Sequence, residues 1–226
     1  MIAPLPPTTT LADVLLMQGV PGALTPPLRT MCAPAHAVCG PAVTVQMAPG
    51  GRDGGFDPLY ALLSEDLTGC VLVVAGMEDV PGAVWGQILS RAARRRGAVA
   101  VLVDGAVRDV SLLDAEGLAV WAAGEHTAGA PGQAHVVATH ATVRVGDVSV
   151  DDRDLVVADP AGAVRLPAAH AETLLGCARD LAEAEERVLE DLAAGLRLDQ
   201  AYHHKKAAQT AIRSTLLQSN GTRPSI

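Results

Sequence analysis

GAVAVLVDGAVRD, residues 97–109, is the stretch on which the reading of this chain turns. Ala98–Val103 is an unbroken apolar run with three valines and one leucine. Such a run reads as a strand buried on both faces. Asp104-Gly105 follows as a turn signal, then the charged pair Arg108-Asp109. Loops at strand ends are where α/β proteins place their chemistry. Spacing alone leaves two readings open for the pair, a solvated ion pair on a turn and part of a site.

Working outward, Ala83–Arg96 has helical spacing, with Val84, Ile88, Leu89 and Ala92 on one side and Gly97 as a stop. Before it, Cys70–Ala75 (CVLVVA) reads as a second buried strand. Strand, helix and strand within so short a span predict a βαβ unit with the two strands as parallel neighbours. Further upstream the chain predicts a helix from Asp57-Pro58 to about Asp66 and a strand at Gly40–Val45 (GPAVTV). It also predicts a helix at Leu11–Met17, with N-caps in Thr8–Thr10. Pro26–Ala37 reads as a loop. The glycine-dense APGGRDGG at 48–55 matches neither nucleotide-binding pattern and reads as a surface loop.

Downstream, Ser111–Glu116 reads as a short helix closed by Gly117. Six short strands are then expected, at Leu118–Ala122, Val136–Val137, Thr142–Val145, Val148–Val150, Leu155–Ala158 and Val164–Leu166. Pro167 opens a long helix to about Ala194, with an acidic, solvated face and a stop at Gly195. The expected organisation is one domain over 1–199 and a polar, basic tail over 200–226, partly helical and frayed from Ser219.

Composition narrows the function classes. Hydrophobic residues make up 49 % and mean hydropathy is +0.26, yet charges, Gly or Pro interrupt every apolar run short of a membrane span. Aromatics are only 2 %, so the core is built of small aliphatic side chains. The net charge of −8 argues against general nucleic-acid binding. The basic clusters Arg91–Arg96 and His203–Lys206 are small, and the first reads as a solvated helix face. The four cysteines, Cys32, Cys39, Cys70 and Cys177, show no metal-ligand spacing and predict reduced thiols. MIAPLPPTTT lacks the pattern of a signal peptide, so a cytoplasmic, non-membrane protein is expected.

The segments GPAVTV (40–45), DLTGCVLVVAG (66–76), WGQILSRAARRRGAVAVLVDGAVRDV (85–110), LAVWAAG (118–124) and DLVVADPAGAVRLP (154–167) together resemble the RraA-like superfamily. EDLAAGLRLD (190–199) looks like the C-terminal segment of its aldolases. That superfamily holds the regulators of ribonuclease E activity and the metal-dependent 4-hydroxy-4-methyl-2-oxoglutarate/4-carboxy-4-hydroxy-2-oxoadipate aldolases. The resemblance implies an α/β, swivelling-domain-like layered sandwich, with a central βαβ unit, a β-rich second half and a long C-terminal helix. It implies a homotrimer, or a hexamer of two trimers, with sites between subunits.

For the site, the resemblance implies that Arg108 grips the carboxylate and carbonyl of a small 2-oxo acid, a task suited to a planar guanidinium. Asp109 then ligates Mg²⁺ or Mn²⁺. Backbone N–H groups around Ile88 and Leu89 bind the pyruvyl carboxylate, which requires the helix to begin nearer Gly86 than Ala83. Asp104 of the VDG turn is a further candidate for the substrate side. One departure stands out. The aldolases carry an acid twenty-one positions before the arginine, and here that position is Gln87. An amide can accept a hydrogen bond from a metal-bound water but brings no charge and cannot act as a base. The glutamate that aldolases tend to carry just after the helix-ending glycine is also missing, since Gly195 leads into Leu196-Arg197. Glu183 and Glu186 are candidates for an acid reaching a neighbouring subunit's site. Each reads equally as a solvated helix residue. His126 reads as a surface residue near the site, Asp159 as a turn residue, and Trp85 as pocket lining or helix packing.

The expected function is a metal-dependent lyase acting on a small 2-oxo dicarboxylic acid through a pyruvate enolate. The alternatives are a non-catalytic, protein-binding regulator and a scaffold recruited to another reaction on a carboxylated substrate.

Overall fold

In a computed structural model of the chain, residues 4–24, 28–34, 36–52, 54–77 and 80–220 are described. Parts of the expected loops (Pro26-Pro27, Ala35, Asp53, Glu78-Asp79) and the tail from Gly221 lie outside them.

The chain divides into two compact units, Gly22–Ala169 and a second made of 1–21 with 170–226. In the first, β3 (Val71–Ala75) and β5 (Ala100–Val107) pair in parallel, Val71 opposite Ala100. The region between them, expected as one helix over Ala83–Arg96, is split. Ala83–Trp85 is a short strand, β4, parallel to the far end of β5, and the helix α3 covers Gln87–Arg95 with Gly86 as its N-cap. Three apolar residues fit a buried strand as well as a helix turn, and periodicity cannot separate the two.

Two more strands run parallel in the same sheet. They are β2 (Val38–Pro49) beside β3 and β6 (Ala119–Glu125) beside β5. The sheet continues antiparallel through β1 (Arg29–Cys32) on β6, and through β7 (Ala134–Thr139) and β10 (Leu155–Asp159) on β2. The strand β11 (Gly162–Leu166) closes it against β10. A separate hairpin joins β8 (Val143–Val145) to β9 (Val148–Val150), so all six expected downstream strands are present.

Alternation explains why the central strands read as continuous apolar runs. Leu72, Val74, Val101 and Val103 face one hydrophobic cluster, with α2 (Asp57–Leu62) among its contributors through Leu59 and Leu62. Val71, Val73, Ala100 and Leu102 face another, with Trp121, Val143 and Val156. Both sides are covered, so every residue of β3 is buried.

Asp104-Gly105, expected as a turn, is strand instead: both residues lie inside β5, and Asp104 is buried. The register with β6 shifts between Val103 and Ala106. Tertiary pairing overrides the local turn signal, and the glycine marks an irregularity in a strand rather than its end. The strand therefore runs on to Val107 and delivers Arg108-Asp109 at its end. A one-turn helix, α4 (Val110–Leu113), and a 3₁₀ turn (Asp114–Glu116) follow, closed by Gly117 as expected.

The second unit is helical. It comprises α1 (Thr8–Gln18), the long α5 (Ala171–Ala193), the one-turn α6 (Leu198–Ala201) and α7 (His203–Asn220). The three threonines sit within α1, whose N-cap is Pro7 with no side-chain cap bond. Lys205 of α7 ties the unit together by reaching Glu185 of α5 at 2.6 Å and Asp13 of α1 at 3.4 Å. No helix of the described residues is long and apolar enough to cross a membrane.

Candidate functional site

Because β4 pairs with the last residues of β5, Trp85 and Val107 leave the sheet side by side, and the Arg108 N–H donates to the Trp85 carbonyl at 2.9 Å. Gly86-Gln87 and Arg108-Asp109 are therefore brought together at the same ends of two parallel strands, the position where open α/β sheets bind ligands. A cavity of about 390 Å³ opens there. Its wall includes Trp85, Gly86, Gln87, Ile88, Leu89, Arg108 and Asp109.

Gly86 must be small. A Cβ on it would lie 2.9 Å from both the Arg108 Cγ and an Asp109 Oδ2. Arg108 Nε and Asp109 Oδ2 are 3.6 Å apart, and each side chain keeps about two-fifths of its surface exposed. Asp109 has φ 61° and ψ 29°, in the left-handed region, where aspartate is among the few tolerated side chains.

Placing Gly86 at the N-cap puts Gln87, Ile88 and Leu89 in the first turn of α3. The first bond of that helix runs from the Ser90 N–H to the Gly86 carbonyl. The amides of Ile88 and Leu89 precede it and have no carbonyl a turn back to donate to. The start of α3 thus offers an anion two N–H groups and the positive end of the helix dipole.

Gln87 is held from behind. Its Nε2 donates to Glu116 Oε1 at 2.8 Å, and Arg91 of the same helix clamps that carboxylate through Nε at 2.7 Å and Nη2 at 2.8 Å. The Glu116 side chain is almost wholly buried. Arg91 and then Gln87 hold its carboxyl below the usual carboxylate range. Since Glu116 can only accept, Gln87 must present its NH₂ to it, and Oε1 is the end left for the cavity. Among the described residues the cavity thus presents one carboxylate, Asp109, and one neutral amide oxygen. That set fits a hard divalent ion that keeps most of its water shell, and it does not fit a dehydrated one.

Other candidates separate from this site. Asp104 is buried in β5 and lies outside the cavity wall. His126 is exposed and bonds within its own loop at Ala128, and Asp159 shapes a turn by accepting the Ala161 N–H. Trp85 is buried, lines the cavity and donates its indole N–H to Ser90 at 2.8 Å. Glu183 and Glu186 stand exposed on α5, Glu183 paired with Arg187 at 2.6 Å. Burial pushes up the thiols of Cys70, Cys177 and Cys32, the last to about 11 with Asp114 beside it, so none of these three is a ready nucleophile at neutral pH. Glu116 carries no sign in the sequence of its role behind Gln87. Its partners lie 25 and 29 positions away, beyond any helical or strand period.

Residues 8–165 match the family described as RraA-like, Aldolase/RraA. The chain is 24 % identical over 165 residues to the protein DlpA of Legionella pneumophila; the match covers 73 % of this chain and 27 % of DlpA. It is 28 % identical over 163 residues to a candidate 4-hydroxy-4-methyl-2-oxoglutarate aldolase of Halalkalibacterium halodurans, covering 71 % of this chain and 75 % of that one. Among solved structures, Streptomyces coelicolor RraAS2, described as an unusual member of the RNase ES inhibitor RraA protein family, superposes with a TM-score of 0.70 at 30 % identity. It covers 79 % of this chain and 88 % of its own.

Proposed function

The chain belongs to the RraA-like family, and from that premise we propose that it is a divalent-metal-dependent lyase that breaks a carbon–carbon bond in a small 2-oxo dicarboxylic acid. The observation that carries the reading is the meeting of Arg108-Asp109 with the open first turn of α3 in one cavity.

In this reading the amides of Ile88 and Leu89 take the carboxylate next to the oxo group. The Arg108 guanidinium bonds the oxo oxygen and fixes the substrate's plane. Asp109 and, through water, the Gln87 amide oxygen hold Mg²⁺ or Mn²⁺. When bound, the ion supplies Lewis-acid polarisation of the oxo group. As the bond to the departing carbon breaks, its electron pair passes into a pyruvate enolate. Arg108 is placed to stabilise the oxygen that gains charge. The enolate is then protonated to pyruvate.

The residue at 87 selects between two routes. Retro-aldol cleavage needs a base to take the proton from the departing hydroxyl, whereas decarboxylation of a β-oxo acid needs none. Gln87 cannot be that base, and Glu116 is committed to Arg91 and Gln87. Decarboxylation of an oxaloacetate-like acid is therefore the favoured reaction.

The test is pyruvate release from oxaloacetate and from 4-hydroxy-4-methyl-2-oxoglutarate, with Mg²⁺ or Mn²⁺, and with a chelator. We expect metal-dependent turnover, faster on oxaloacetate, that falls to background in Asp109→Ala. Absence of such turnover, or full activity in that variant, overturns the proposal.

A second reading, a non-catalytic regulator that binds another protein, is favoured by the neutral Gln87 and by the likeness to RraAS2. It predicts metal-independent capture of a ribonuclease by the purified chain. In either reading we propose a ring of three subunits, or two such rings, with the cavity bordering a subunit interface. Ile88 and Tyr60 on its wall are 75 % and 50 % exposed, a high value for large apolar side chains.

A further inference from the structure

We propose that Asp191, His203 and His204 form a second cation site, selective for a borderline divalent ion of the zinc type and independent of the chemistry at Asp109. One ligating atom from each of the three side chains lies within 4.8 Å of the others.

The geometry is set by the end of α5. Asp191 sits in its last turns, and its carbonyl accepts the Leu196 N–H at 2.9 Å as the chain reverses. The single turn of α6 then starts α7 at His203, so two adjacent imidazoles come back over the Asp191 carboxylate. The His204 Nε2 stands 3.1 Å from Asp191 Oδ2. The His203 Nδ1 is 2.7 Å from the Gln200 carbonyl. A carbonyl only accepts, so Nδ1 carries the proton and the lone pair is on Nε2. That is the arrangement by which a backbone carbonyl orients a metal-binding histidine.

Zinc bonds of about 2.0–2.2 Å place tetrahedral ligands roughly 3.3–3.5 Å apart, a spacing the 3.1 Å between His204 Nε2 and Asp191 Oδ2 approaches and the 4.8 Å limit on the whole triad brings within a small side-chain adjustment. The imidazole rings are 3.9 Å apart at their centres. Neutral imidazole is the ligating form. Two nitrogens and one carboxylate suit Zn²⁺, Co²⁺ or Ni²⁺ and not Mg²⁺. Asp180 and Glu183 line the adjoining cavity with the two histidines. Arg187, also there, is neutralised by its 2.6 Å pair with Glu183. His204 and Asp191 keep 27 % and 29 % of their side-chain surface, so water can complete the coordination sphere.

The experiment is titration of chelator-stripped full-length protein with Co²⁺ and Zn²⁺, followed by calorimetry and by the visible absorption of cobalt. We expect one ion per chain at this site, undisturbed by excess Mg²⁺, and a Zn²⁺-dependent rise in Tm. Asp191→Asn, His204→Ala and the mild surface change His203→Gln should each weaken binding more than about tenfold. Their metal-free circular dichroism should match the parent. Asp109→Asn should bind Co²⁺ here as the parent does. No binding, unchanged affinity in all three variants, or ready displacement by Mg²⁺ overturns the site. Loss of binding in Asp109→Asn alone overturns it as well, since the ion would then be at the other cavity.

Discussion

Asp109 combines a left-handed backbone with the only carboxylate that the described residues place on the wall of the cavity. Asparagine tolerates the same backbone, so Asp109→Asn removes the charge while leaving the fold alone. We expect metal-stimulated turnover to fall by about a hundredfold or more with Tm nearly unchanged, measured by stopped assay and thermal melt. Arg108→Lys keeps a positive charge but loses the two-pronged grip, and should raise KM by about tenfold. Gly86→Ala tests the close approach described above. Its methyl displaces Arg108 and Asp109 together, so kcat/KM should drop while the metal-free melt stays near the parent's.

At the scale of the elements, the start of α3 and the turn carrying Glu116 act as one device. Their lock is the Arg91–Glu116 pair. Glu116 has a folded-state pKa below its ordinary value, so its contribution to stability is complete above the ordinary carboxylate range and is lost as pH falls through the lowered value. Glu116→Gln should therefore have a lower Tm than the parent at pH 7, and the two melts should converge only in acid. The same change frees the Gln87 amide to turn, so it should also weaken Mg²⁺ binding by about tenfold. Gln87→Asp restores a charge at the cavity and should strengthen it, a gain readable by titration even without turnover.

This is also the scale at which legibility divides. The buried strands β3 and β5 and their parallel pairing were readable because apolar runs of that length, spaced by one helix, have few alternatives. The end of β5 was not, because Asp-Gly is a turn by local chemistry and only its neighbours in the sheet make it strand. The break at Gly86 is implied by family likeness and not by periodicity. Arg108 and Asp109 were legible as a charged pair beyond a buried strand. The hold of Glu116 on Gln87 and Arg91 is hidden, since an acid in a short helix has no local sign of what it will meet.

For the molecule as a whole, the proposed ring makes a physical claim about surface. If the cavity borders a subunit interface, Ile88→Glu puts a charge where apolar contact is expected. It should shift sedimentation toward the monomer while leaving the isolated subunit folded. An unchanged trimer or hexamer would remove the cavity from the interface. The low aromatic content bears on a different question. The chain has two tryptophans, both buried, and they report on different places. Trp121 packs in the cluster away from the cavity and bonds the Asp159 carbonyl, whereas Trp85 forms part of the cavity wall. In Trp121→Phe the emission comes from one indole alone, already in apolar surroundings and therefore blue-shifted. Addition of a 2-oxo acid to that variant should quench it, turning a packing residue into an optical titration of the site that needs neither turnover nor a label.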